Sequence, residues 1–112
     1  MDVTNKIHAE LEMAINARVK GNEGMARVCA RRAAGLAVRE YVRKNHIRET
    51  GRLTYELLSD NSLRKHLPVT IHPALTHLTT RVDVNHNIAD GIDLVKEAKI
   101  VIQTLAEDLN QP

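Results

Sequence analysis

Ala26, Ala30, Ala34 and Val38 recur at strict four-residue spacing, and beside them runs a second apolar row, Met25, Val28, Cys29, Ala33, Leu36, Ala37 and Val42. Four-residue spacing keeps side chains on one face of an α-helix. Two apolar rows on one helix mean that it is covered on more than one side. Whatever this chain folds into is therefore arranged around the segment 25–44. Composition narrows the means: there is no Trp, no Phe and only two Tyr in 112 residues, yet 43% of the chain is hydrophobic. The core must be aliphatic and rich in alanine. A row of alanines also lets another backbone approach closely, so a homodimer contact along Ala26, Ala30 and Ala34 is one expectation. The length suits one domain, residues 1–112.

The rest of the chain reads as helix and turn. Val3, Ile7, Leu11, Ala14, Ile15 and Val19 recur at three- and four-residue spacing and predict a helix over 2–20, stopped by Gly21-Asn22-Glu23-Gly24. Residues 52–67 offer only short helical turns. His72-Pro73 opens a third element over 73–82, with Ala74, Leu75, Leu78 and Val82 as its stripe. The last helix is expected over 88–109, with Ile88, Ile92, Val95, Ile102, Leu105 and Leu109 as its stripe and Leu94, Ala98 and Val101 alongside; Gly91 weakens its first turn. Sustained strand alternation is missing, so the expected class is all-α: a four-helix up-down bundle with one or two short extra helical turns.

Several functions are excluded or disfavoured on this basis. Few aromatic faces leave little for a base-stacking platform. No run of about 18 apolar residues is present, so no membrane span is expected. The charged N-terminus and single cysteine fit a cytoplasmic chain. Cys29 lies on the core stripe without a CxxC partner and reads as a small buried hydrophobe. His72 and His77, five residues apart, point away from each other on a helix, and no other spacing suggests a metal site or a cofactor. No Gly-x-Ser-x-Gly or phosphate-binding glycine loop occurs. The charge is uneven: residues 24–52 hold eight Arg or Lys against two acids, whereas 83–108 hold two Lys against six acids. Arg27, Arg31, Arg39 and Arg43 fall on one broad arc of the second helix. They could complement the acidic helix or contact RNA phosphates.

One string carries chemistry, RVDVNH at 81–86. If Arg81 ends the third helix and His86 opens the fourth, the turn between them can bring both toward one cleft. A histidine moves protons near neutral pH, and a guanidinium stabilises charge growing on phosphate oxygens. Asp83, Asn85 and Asn87 could hydrogen-bond the histidine and fix its tautomer. The same residues would equally serve as helix ends, with Asn85 or Asn87 a cap and His86 a solvated turn residue.

Three strings, in this order, resemble the HEPN superfamily (higher eukaryotes and prokaryotes nucleotide-binding domain). They are the Ala-rich ARRAAGLAVREYVRK, the segment GRLTYELLSD, in which Tyr55 and Glu56 replace the His and Asp of the family's short element, and the Arg81/His86 pair at the shortest spacing the family uses. The resemblance implies a helical domain that often dimerises. It also implies metal-independent ribonuclease activity of a toxin-antitoxin type, with Arg81 and His86 catalytic and a nucleotidyltransferase as partner. Active members usually carry a polar residue after the Arg, where this chain has Val82. The alternative is therefore a non-catalytic HEPN-type module that binds nucleotide or RNA, or docks on a nucleotidyltransferase.

Overall fold

The computed structural model describes residues 3–48, 53–80 and 92–109. Two long helices, α1 (Val3–Val19) and α2 (Glu23–Lys44), are followed by three short ones, α3 (Thr54–Ser59), α4 (Asn61–Arg64) and α5 (His72–Leu78). A third long helix, α6 (Leu94–Leu109), completes the described chain. A 3-10 turn at Val69–Ile71 runs directly into α5. The all-helical class expected from periodicity is observed, with no strand among the described residues. None of the described helices is long and apolar enough to cross a membrane.

The α1–α2 hairpin is made by a specific helix stop. Gly21 takes φ 80°, its N–H donates to the Arg18 carbonyl at 2.9 Å, and the Asn22 N–H donates to the Ala17 carbonyl at 2.8 Å. This is the Schellman pattern, and a positive φ suits glycine there. Asn22 then caps α2, its side-chain oxygen accepting from the Met25 N–H at 3.1 Å. The helix thus begins at Glu23, two residues before the apolar pattern does.

Helix α2 is central: α1, α6 and α3 all pack on it. Ala26, Ala30, Ala34 and Val38 are fully buried within the single chain, together with Cys29 and Ala33. The small-residue row expected to serve a dimer is therefore covered internally by neighbouring helices. Met25 and Val28, read as core from their spacing, are instead 45% and 39% exposed. With three helices already around α2, its alanine side takes the close contacts and its N-terminal Met25 and Val28 face outward. Gly35 allows a further close approach, because a Cβ there would lie 2.8 Å from the Thr54 methyl group at the start of α3. On α6 the buried set is Leu94, Val95, Ala98, Val101 and Leu105. The stripe is thus centred on the residues that spacing placed alongside it.

Two boundaries differ from the periodic reading. The third element ends at Leu78, not near 82. The hydroxyls of Thr79 and Thr80 bond back to the Leu75 and Thr76 carbonyls, and Arg31 takes the Leu78 carbonyl that a continuing helix would use. The last helix begins at Leu94, not Ile88, because the Asp93 carboxylate accepts from the Val95 and Lys96 N–H groups and so caps it. Residues 88–91 of that expectation lie outside the described residues.

At the far end, α2 and α6 run parallel and are tied where Tyr41 Oη donates to Asp108 Oδ2 at 2.5 Å. Burial, followed by the hydrogen bond and charge of Asp108, pushes the Tyr41 phenol up to about 12. Its unfolded value is about 10. A raised folded-state value stabilises the fold fully below pH 10, and that stability is lost as pH climbs toward 12. In alkaline titration followed by tyrosinate absorbance, one of the two tyrosines should ionise only near pH 12, together with unfolding, and Tyr41→Phe should remove that late component.

Helix α2 ends in a second Schellman pattern. The His46 N–H donates to the Arg43 carbonyl at 3.3 Å and the Ile47 N–H to the Val42 carbonyl at 3.0 Å, with His46 at φ 54°. A non-glycine residue there carries a cost of about 1 kcal/mol. His46→Gly should raise the melting temperature by roughly 4 °C; an unchanged or lower value in a thermal melt would contradict that account.

Candidate functional site

An ion-pair network lies at the end of the fold where α1 finishes, α2 begins and α6 begins. Arg18, in the last turn of α1, joins all three. Its Nη2 lies 2.7 Å from Glu23 Oε1 and its Nε donates to Glu23 Oε2 at 3.2 Å. Its Nη1 lies 2.9 Å from Asp93 Oδ1. The bond from Arg18 holds the Glu23 carboxyl below its ordinary range. At Asp93, burial pulls upward, but the Lys96 N–H and Arg18 outweigh it and the carboxyl stays below its ordinary range. Asp93 thus caps α6 and anchors that cap to the hairpin.

Arg31 makes a second clamp. It reaches from α2 to the end of α5, where Nε donates to the Leu78 carbonyl at 2.6 Å and Nη2 to the Thr80 carbonyl at 3.2 Å. A guanidinium at a helix C-terminus meets both unsatisfied carbonyls and the negative end of the dipole. Burial, and then the neighbouring charge of Arg27, lower the Arg31 pKa from its usual value. Thr80 is thus held by Arg31, and Asp93 by Arg18.

The sequence-derived candidates divide accordingly. Arg81, Asp83, Asn85, His86 and Asn87 lie outside the described residues. Arg27 and Arg31 come together, near enough for each charge to act on the other. Arg39 is partly buried further along α2. Arg43 is exposed at the opposite end, with its Nη2 2.5 Å from Glu40 Oε1. Arg27 and Arg43 are separated by about 24 Å of helix at 1.5 Å per residue, so the four arginines span most of the length of α2. Beside Arg43, a groove of about 290 Å³ opens between α1, α2 and α6, floored by Ile7, Ala37 and Leu105 with Glu40 and Lys44 at its rim.

Two features escaped the sequence. The Arg18–Asp93 contact spans 75 positions, and no local pattern announces it. The second is His77, whose Nδ1 lies 2.8 Å from Glu97 Oε1 and links α5 to α6. Among the described residues, no group of three or more His, Cys, Asp and Glu is placed to hold a metal ion. Set against known protein families, curated proteins and solved structures, the chain has no significant match to any of them.

Replacing Arg31 with Met keeps bulk but leaves the two α5-end carbonyls without their charged donor. The expected loss is about 2 kcal/mol, seen as a lower urea midpoint, with faster amide hydrogen exchange over 72–78 than over α1. Equal acceleration throughout the chain would show that Arg31 does not act locally.

Proposed function

We propose that this chain is a metal-independent ribonuclease of the HEPN type, acting in the cytoplasm on RNA through Arg81 and His86. The observation that carries the reading is the Arg31 clamp on the Thr80 carbonyl. It holds Thr80, the residue that precedes Arg81 in the sequence, and Arg27 lies near enough to Arg31 to act on its charge. Positive charge at that point favours a phosphodiester. In the reaction the RNA's own 2′-hydroxyl attacks the adjacent phosphorus, Arg81 stabilises the pentacoordinate phosphate, and His86 transfers a proton. Asp83, Asn85 and Asn87 orient His86. In this reading the helices form the family's four-helix bundle, with α5 as a shortened third member. Two copies associate so that two Arg/His sets face one cleft, and a nucleotidyltransferase is the partner that restrains them. With the alanine row of α2 covered internally, the apolar surface available for association includes Met13, Met25 and Val28.

The second reading, a non-catalytic module that binds RNA or nucleotide or docks on a nucleotidyltransferase, is favoured by Val82, an apolar residue directly after Arg81. Incubation of the purified chain with mixed RNA separates the two. Cleavage should persist in EDTA, since the reading uses only side-chain protons and a guanidinium, and should leave 2′,3′-cyclic phosphate ends. Binding should weaken steeply with salt. His86→Ala and Arg81→Ala should each lower the rate by about 10²–10⁴-fold with unchanged melting temperature. RNA that is bound but intact would establish the module reading, and full activity in His86→Ala would overturn the assigned mechanism.

A further inference from the structure

We propose that the groove between α1, α2 and α6 binds a medium-chain acyl carboxylate, its chain along the aliphatic floor and its carboxylate on Lys44. Every residue involved is described, and nothing in the site depends on RNA cleavage.

The groove exists because small side chains stand where larger ones would close it. Ala37 of α2 and Ala106 of α6 each present a single methyl group, while Ile7, Ile102, Leu105 and Leu109 supply the surfaces around them. Ile7, Ala37 and Leu105 are buried, so the floor is part of the core and is already formed, as in most ligand sites. Its volume of about 290 Å³ holds roughly ten non-hydrogen atoms, at the ~30 Å³ that a water occupies in the liquid. Ile102 to Leu109 span about 10 Å of α6 at 1.5 Å per residue, which suits an extended chain. No aromatic side chain among the described residues lines the groove, so a planar ring would find nothing to stack on. Each methylene that leaves water for this floor adds to the affinity.

The rim decides the head group. Two acids stand close to it, and both are engaged. Glu40, only 12% exposed, has both carboxylate oxygens bonded by Arg43, from Nη2 to Oε1 at 2.5 Å and from Nε to Oε2 at 3.3 Å. That arrangement holds its carboxyl below the ordinary range. Asp108, the neighbour of Leu109, accepts from Tyr41 Oη. Lys44, one turn beyond Glu40, is differently placed. Its side chain is 52% exposed and its Nζ lies 3.8 Å from Glu40 Oε1, an ion pair too long for a hydrogen bond. A carboxylate arriving at the groove can take the donors that Glu40 does not. His8 lines the same rim from α1 and adds a ring N–H. The cationic rim favours an anion and the aliphatic floor a chain, and a carboxylate with a short acyl tail has both.

Octanoate and octan-1-ol, added to the full chain, separate the two contributions. Binding is followed by calorimetry and by the methyl resonances of Ile7, Ile102, Leu105 and Leu109. Octanoate should bind with a Kd on the order of 0.1–1 mM, with shifts confined to those methyl groups. Octan-1-ol has the same chain without the charge. It should bind the parent about 3- to 10-fold more weakly, and Lys44→Gln should weaken octanoate by about the same factor. Ala106 is exposed, so Ala106→Phe should fill the groove and abolish binding while circular dichroism stays that of the parent. Absence of octanoate binding in the millimolar range would overturn the proposal. So would parent-like affinity in Lys44→Gln or in folded Ala106→Phe. Shifts centred instead on Met13 and Met25, the exposed pair at the other end of the α1–α2 hairpin, would show adsorption to apolar surface and overturn it as well.

Discussion

Helices that meet through alanine hold together only if their backbones come close, because each alanine buries one methyl group and its stabilisation falls quickly with distance. The interior here depends on that condition. Ala14 and Ala17 of α1, five alanines of α2 and Ala98 of α6 are all buried, and no Phe or Trp is available to bridge a wider gap. The larger buried side chains come mainly from elsewhere: Leu57, Leu58, Ile71, Leu75 and Leu78 from the short elements, and Leu94 and Leu105 from α6. The molecule therefore has two kinds of interior. A close-packed alanine seam joins the long helices, and a leucine-filled region lies under the short ones. Gly35 extends close packing to a short helix, where α3 meets α2 with no room for a Cβ.

Close packing of long helices leaves their ends as the places where direction is decided. At each such end a polar group replaces what the apolar seam cannot supply. Gly21 and Asn22 reverse the chain between α1 and α2. Arg31 receives the end of α5, and Asp93, fastened by Arg18, starts α6. Arg18 is partly solvent-exposed, and an exposed ion pair alone stabilises by about 0–1 kcal/mol. Its importance is geometric, since one guanidinium binds two carboxylates from two different elements and fixes where α6 begins.

What the sequence could disclose follows the same division. The helical class, the centrality of α2, the hairpin turn and the burial of Cys29 were legible, because each rests on spacing within one segment. The end of α5 and the start of α6 were misplaced, because both depend on side chains from distant helices. Arg31 looked like one member of a phosphate-binding arc, since periodicity reports which face a residue occupies but not what lies opposite. His77 was set aside because His72 points away from it, whereas its partner is Glu97, twenty residues on. The string RVDVNH, residues 81–86, lies outside the described residues.

The uneven charge noted in the sequence acquires a physical role in the fold. Three acids of the C-terminal segment are engaged inside the molecule: Asp93 with Arg18, Glu97 with His77, and Asp108 with Tyr41. Each fastens α6 to a different neighbour, at its start, its first turn and its last. Those carboxylates are occupied by partners within the fold. Arg32 of α2 and Arg48 beyond its C-terminus are exposed, and Arg27 lies near enough to Arg31 to act on its charge. Internal use of the acids thus leaves basic groups on the outside of a chain whose net charge is only +2. The uneven surface charge follows from how the charges are paired, and the total charge alone would not reveal it.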